Sequence, residues 1–316
     1  MLDYTDRHFR YFARLLSRRA LLYTEMISCS ALLHGDAPHH LAYHQAEHPL
    51  ALQLGGSNPA ELAACAAMAQ AWGYDEVNLN VGCPSNRVQN HKIGACLMAE
   101  PALVADCVKA MREACSIEVT VKHRIGIDGH DNYDELQEFV GQLVDAGCQT
   151  FIVHARIAIL KGLSPKQNRE IPPLRYEVAA KLAEDFPDQC FVLNGGIGDI
   201  AQCRQQLKRF AGVMLGRAAY QRPLLLAEVD EALFGEPSPH SPLEALQPMR
   251  AYLEQHLAQG GSAHQVTRHL LGLAWGLPGA RRFRQLLSVA IQKKRAAPLA
   301  VYDQAMALLA NSLQGR

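Results

Sequence analysis

Between residues 20 and 215, short apolar runs alternate with amphipathic stretches, and few folds accommodate that rhythm. The runs cover 21–27, 50–54, 76–80, 117–123, 149–154, 190–194 and 212–216. Each is rich in Val, Ile, Leu or Phe and short enough for a buried strand. Helical patterns fill the intervals at 59–72, 101–115, 133–146, 174–185 and 200–209, and several start on cap signals such as Asn58-Pro59 and Asp131-Asn132. This alternation predicts an α/β fold with a parallel sheet inside and helices outside, a TIM (β/α)8 barrel. Seven strands are visible, so the barrel's first strand is expected to be truncated, because residues 6–19 already read as a helix. A joint rich in Pro and Gly, 235–242, predicts a boundary between a barrel domain, 1–236, and a small C-terminal helical domain, 237–316.

Charge adds a direction. The chain is neutral as a whole, but residues 241–316 hold nine Lys or Arg against three Asp or Glu, a net +6 that leaves −6 on the rest. That asymmetry is expected when one end meets a polyanion. Arg281, Arg282 and Arg284, followed by Lys293, Lys294 and Arg295, read as a platform for an RNA backbone. No run of about 18 apolar residues exists, and the polar start MLDYTDRHFR carries no apolar signal region, so a cytoplasmic enzyme without a membrane span is expected. Nine cysteines, odd in number and without a CxxC pair, read as reduced thiols rather than a disulfide framework.

In a parallel barrel, functional groups gather at the C-terminal ends of the strands. Gln53, Asn78, Asn80, Lys122, His154 and Asn194 occupy those ends, a set of amides and one lysine suited to a polar planar ring. Lys122 can stabilise negative charge on a reduced flavin. Asn194-Gly195-Gly196-Ile197-Gly198 and Leu215-Gly216-Arg217 follow the last two strands, where bare backbone N–H groups commonly hold phosphate. Cys83 lies in the turn Gly82-Cys83-Pro84 directly after a strand, where a thiol can act as general acid or as nucleophile. His34, His39, His40, His44 and His48 cluster without a carboxylate or thiol to complete a metal set, and read as a polar loop and short helix. The loop 156–173 carries Lys161, Lys166 and Arg169, which suits phosphate contacts to RNA.

Taken together these motifs resemble the tRNA-dihydrouridine synthases. They are Thr24-Glu25-Met26, Gln53-Leu54-Gly55-Gly56, Asn78-Leu79-Asn80-Val81-Gly82-Cys83-Pro84, Val121-Lys122-His123-Arg124, His154-Ala155-Arg156, Asn194-Gly195-Gly196-Ile197 and Gly216-Arg217, in family order along the barrel. The stretch from Gly162 to Leu174 is similar to the A-type subfamily, which modifies uridines 20 and 20a of the D-loop. The resemblance implies FMN as cofactor, NADPH as reductant and tRNA as partner, with no DNA and a monomeric chain. It places Met1, Leu2, Gln53, Lys122, His154, Asn194, Gly195, Gly196, Gly216 and Arg217 at FMN. Cys83 would protonate C5 of uracil after hydride reaches C6, Asn80 would hold the base, and Lys166, Arg169, Arg281 and Arg284 would orient the tRNA. The family's apolar strand before Asp3-Tyr4-Thr5-Asp6 is not in this sequence, which puts its backbone contact to FMN in doubt. Two other readings stay open: an FMN barrel reductase of free pyrimidines, and a non-catalytic tRNA-binding factor derived from this family.

Overall fold

The computed structural model describes residues 1–85, 92–238, 240–290 and 297–314. Two compact units divide the chain. The first takes 1–2, 21–43 and 48–216; the second takes 3–20, 44–47 and 217–316.

The first unit is a sheet of seven parallel strands in chain order, curled and surrounded by helices, as in a TIM barrel. The strands are β1 (Leu22–Ser28), β2 (Leu50–Gly55), β3 (Glu76–Val81), β4 (Glu118–Arg124), β5 (Thr150–His154), β6 (Cys190–Asn194) and β7 (Gly212–Met214). β1 and β7 are the edges of the sheet. Each connection carries the chain outside the sheet, on Pro59–Trp72, Pro101–Ala114, Tyr133–Asp145, Tyr176–Asp185 and Ile200–Gln206 among others. Local chemistry sets where these helices start. Asn58 Oδ1 accepts from the N–H groups of Ala60 and Glu61, Pro59 occupies the first turn, and Asn132 accepts from Glu135 N–H. Leu136, Phe139, Val140 and Leu143 then repeat at helical spacing and bury one face of Tyr133–Asp145.

The second unit is helical, and it is not the segment beginning at residue 237. Arg7–Leu16 and everything from Arg217 onward belong to it. The reason is a set of long-range polar ties. Asp6 caps Arg7–Leu16 and also pairs with Arg268 at 2.6 Å and His269 at 2.9 Å. Asp230, on the helix Val229–Phe234, accepts from Ser17 Oγ at 2.5 Å and Arg18 N at 2.7 Å. Buried Arg10 meets buried Glu47 at 2.6 Å. The Pro-rich joint is a local break in the chain, whereas these ties bind the elements on either side of it into one unit. Lys293, Lys294 and Arg295 lie outside the described residues. Among the described residues no helix is long and apolar enough to cross a membrane.

Candidate active site

Strand alternation decides which residues reach the candidate site. On β4 the ring of His123 packs against Phe139 of Tyr133–Asp145, so odd-numbered positions face the helices. Thr120, Lys122 and Arg124 therefore take the opposite face, and register places Asn80 beside Lys122 and Gln53 beside Asn78.

Tyr23, Glu76, Thr120, Asn78, Gln53 and Asn80 form one continuous hydrogen-bonded chain. Tyr23 Oη and Thr120 Oγ1 both donate to Glu76 Oε1, at 2.7 and 2.6 Å. Asn78 Nδ2 donates to Thr120 Oγ1 at 2.7 Å, and Gln53 Nε2 donates to Asn78 Oδ1 at 2.9 Å. Asn80 Nδ2 donates to Gln53 Oε1 at 2.9 Å, and Asn80 Oδ1 accepts from the N–H groups of Gly82 and Cys83 at 3.0 and 2.9 Å. Buried amides are tolerated only when paired, and here each fixes the orientation of the next. Burial raises the Glu76 carboxyl above its ordinary range, while the Thr120 and Tyr23 hydroxyls act the other way.

The turn carrying Cys83 is pinned from three sides. Asn80 holds its N–H, Ala95 N–H donates to its carbonyl at 2.9 Å, and Arg124 Nε donates to the Gly82 carbonyl at 3.0 Å. The thiol remains partly exposed. Arg124 also reaches the long basic loop, with Nη1 3.1 Å from the carbonyl oxygens of Ile157 and Asn168. Fully buried Asn168 closes that loop through its amide, accepting from Ile159 N–H and donating to Ile159 carbonyl, both at 2.8 Å. Lys166 and Arg169 flank it, with Lys166 exposed. Burial pushes the Lys122 ammonium down to about 8, helped by the like charge of Arg124 and opposed by Cys83. Burial also moves Arg124 down to about 10; Cys83 opposes this and the Arg156 and Arg169 charges add to it.

Across the same ends, Arg124 lies beside His154, His154 beside Asn194, and Asn194 beside Met214. Asn194 spends its Nδ2 on the Met214 carbonyl at 2.7 Å, so its amide ties β6 to β7. Gly195 and Gly196 have φ of +116° and +73°, which L residues rarely adopt. A Cβ on Gly196 would also lie 2.5 Å from Leu174 Cδ1. The result is a bare backbone turn, held by Tyr176 Oη donating to the Gly195 carbonyl at 2.6 Å. At Gly216 a Cβ would approach Met1 Sδ to 3.4 Å, which sets the Met1 side chain at the end of β7, while Leu2 is exposed. The barrel unit thus carries Gln53 and Asn78 inside β2 and β3, Asn80, Lys122, His154 and Asn194 at or near the ends of their strands, and Cys83 in the turn after β3. Arg217, Arg281 and Arg284 belong to the helical unit. The residues to which sequence reasoning gave no role are Tyr23, Glu76, Thr120, Arg124 and Asn168. Arg124 had a signal, since it follows Lys122 by two and shares its face; Asn168 had none.

An amide pair, a cation whose charge is made costly by burial, and a glycine turn without side chains fit a planar, phosphate-bearing group that takes up negative charge. Among the described residues, no group of three His, Cys, Asp or Glu side chains can hold a metal ion. His48 instead pairs with Asp75 at 2.6 Å, and His39 and His40 lie on the short helix Ala37–Leu41.

Comparison with known proteins adds names to this geometry. The family described as dihydrouridine synthase matches residues 1–311. A protein of Pseudomonas aeruginosa called tRNA-dihydrouridine(20/20a) synthase is 66% identical over 311 residues, covering 98% of this chain and 93% of the relative. Proteins of the same name from Shewanella oneidensis and Salmonella typhi are 56% and 53% identical, over 91% and 98% of this chain and 86% and 94% of theirs.

Proposed function

The chain belongs to the dihydrouridine synthase family, and from that premise we propose that it reduces uridines 20 and 20a of the tRNA D-loop to dihydrouridine. FMN is the proposed cofactor and NADPH the reductant. Gln53, Lys122 and His154 would contact FMN, the first two at its ring, with Asn194, Gly195, Gly196, Gly216 and Arg217 assigned to its phosphate end. When bound and reduced, the flavin supplies a hydride to C6 of uracil.

The residues of the chain do the rest. Hydride addition leaves enolate-like charge on the C4 carbonyl and C5, and Cys83 donates its Sγ proton to C5 to quench it. Asn80 sets the Cys83 turn with its oxygen; its amide nitrogen has two hydrogens, one given to Gln53, and the other would address the base. Lys122 would supply positive charge beside the ring; burial lowers its pKa to about 8, and negative charge on the ring would act the other way and favour the ammonium. The target uridine must leave its stack to reach these groups. Lys166 and Arg169 on the barrel unit, and Arg281 and Arg284 on the helical unit, are assigned to the tRNA backbone.

The observation that carries this reading is the Cys83 turn, fixed by Asn80, Ala95 and Arg124 beside a lysine of depressed pKa. The test is incubation of the purified chain with unmodified tRNA and NADPH, following flavin absorbance and mapping dihydrouridine by position. Flavin bands that bleach with NADPH, and product at positions 20 and 20a, are expected. Turnover of free uridine instead of tRNA would move the assignment to a reductase of free pyrimidines. Retention of tRNA by a colourless, inactive chain would leave only a binding factor.

A further inference from the structure

The helical unit presents an aromatic surface that the reaction does not use. Trp275 is 55% exposed, an unusual state for the largest apolar side chain. It is not a loose side chain. The Arg222 guanidinium lies over its ring, 4.9 Å from the centroid. The backbone beneath it is packed against the segment that carries Arg222. A Cβ on Gly272 would come within 2.7 Å of the Gln221 carbonyl oxygen and 2.8 Å of that of Tyr220, and Trp275 N–H donates to the Gly272 carbonyl at 3.0 Å. Glycine thus lets the two segments touch, and the touch sets Trp275 beside Arg222.

The surroundings in sequence are cationic without exception. No Asp or Glu occurs between Glu254 and Asp303, a stretch that holds seven Lys or Arg. Within it the helix Ala280–Gln285 buries Phe283 and leaves Arg281, Arg282 and Arg284 exposed. A rigid aromatic ring capped by arginine, in a segment of one charge sign, is complementary to single-stranded nucleic acid. The arginines meet phosphate, and the ring offers a face on which an unpaired base can stack.

We propose that Trp275, with Arg222, forms a stacking site for an unpaired nucleotide of the tRNA, separate from the uridine that is reduced. The site gives the arginines of this unit a fixed register on the RNA, because non-specific charge contacts alone let a protein slide along a backbone. This proposal rests on the tRNA reading above.

The chain has two tryptophans, so Trp72→Phe leaves Trp275 as the sole indole. Trp72 ends the helix Pro59–Trp72 and is exposed, so the replacement spares the core. Unmodified tRNA titrated into that variant is expected to quench the emission in step with complex retained on a nitrocellulose filter. Trp275→Ala is expected to raise KM for tRNA about tenfold with kcat little changed, and Trp275→Phe to restore most of the loss. Saturable filter retention without quenching, or an unchanged KM in Trp275→Ala, would overturn the stacking site and leave the tRNA reading standing. Failure of the filter to retain tRNA at all would remove both.

Discussion

At Cys83 the chain places a thiol on a turn whose N–H, carbonyl and preceding carbonyl are all engaged, so the sulfur is the part left to react. Cys83→Ala keeps those backbone bonds. The variant is therefore expected to bind tRNA and let NADPH bleach its flavin, while dihydrouridine formation falls by about 10²-fold or more. Product formation at the native rate would take Cys83 out of the reaction. Lys122 makes a second, pH-dependent case. Its pKa is lowered to about 8, so the ammonium is mostly charged at neutral pH and loses its proton as pH rises through that value. The charge of the reduced flavin would raise that value, so single-turnover product formation by the pre-reduced enzyme should decline on an alkaline limb lying above about pH 8, and Lys122→Met should be slow with that limb missing. A variant that kept the limb would assign it to another group.

At the scale of the elements, the sequence displays the strands because they are buried on the helix-facing side by Val, Leu, Ile and Phe, and β2 and β3 are buried throughout. The same alternation conceals their other face. Glu76 and Thr120 sit inside runs that read as apolar, and nothing in one strand's sequence tells that its polar side chains are paired with the next strand's. Cys83 and the glycine turns were legible because they stand just past strand ends, and Lys122 because a lysine is out of place in the apolar run of β4. Asn168 was not, since its role is to close a loop on itself. The helix Arg7–Leu16 was legible as a helix but not as part of the helical unit, because Asp6–His269 and Ser17–Asp230 are contacts between distant parts of the chain. The hidden face gives a sharp expectation. Thr120→Val keeps the shape but leaves Asn78 Nδ2 without its acceptor and Glu76 with one hydroxyl donor, Tyr23, in place of two, which should cost on the order of 1–3 kcal/mol in denaturant unfolding. Gly196→Ala acts on the turn instead. With φ at +73° and Leu174 2.5 Å from the new methyl, it should lower flavin retention more than it lowers stability. The reverse order would make the turn a structural feature rather than a cofactor cradle.

Over the whole molecule, stability against acid follows from histidines that both units bury in neutral form. His123 is fully buried between Phe139 and Phe151, donates Nδ1–H to the Arg124 carbonyl at 2.7 Å, and finds no protein partner for Nε2 among the described residues. Burial pushes it down to about 4; the Arg124 carbonyl opposes this and the Lys122 charge adds to it. In the helical unit, burial pushes His8 down to about 3 against the attraction of Asp6, with His256 adding repulsion. A folded pKa below the unfolded value means that the unfolded chain takes up protons first. The stability from these two groups is thus complete above about pH 6.5 and is lost as pH falls toward 4 and then 3. For His123 the full loss is on the order of 3 kcal/mol. Asp6 adds to the loss only at the acid end of this window, where the unfolded carboxyl takes up its proton before the folded one does. Burial would raise its carboxyl, but His269, Phe9 N–H and Arg268 outweigh that and hold it far below the usual range, so its ties survive. Glu47 and Glu76 are raised by burial and take up protons in the folded state, which offsets part of the loss. The histidine share is isolated by His123→Leu, which needs no protonation on unfolding. Its Tm should fall less than that of the native chain between pH 6.5 and 4.5, whatever its value at pH 7.5. Parallel Tm curves for the two proteins across that interval would show that His123 is not a source of acid lability.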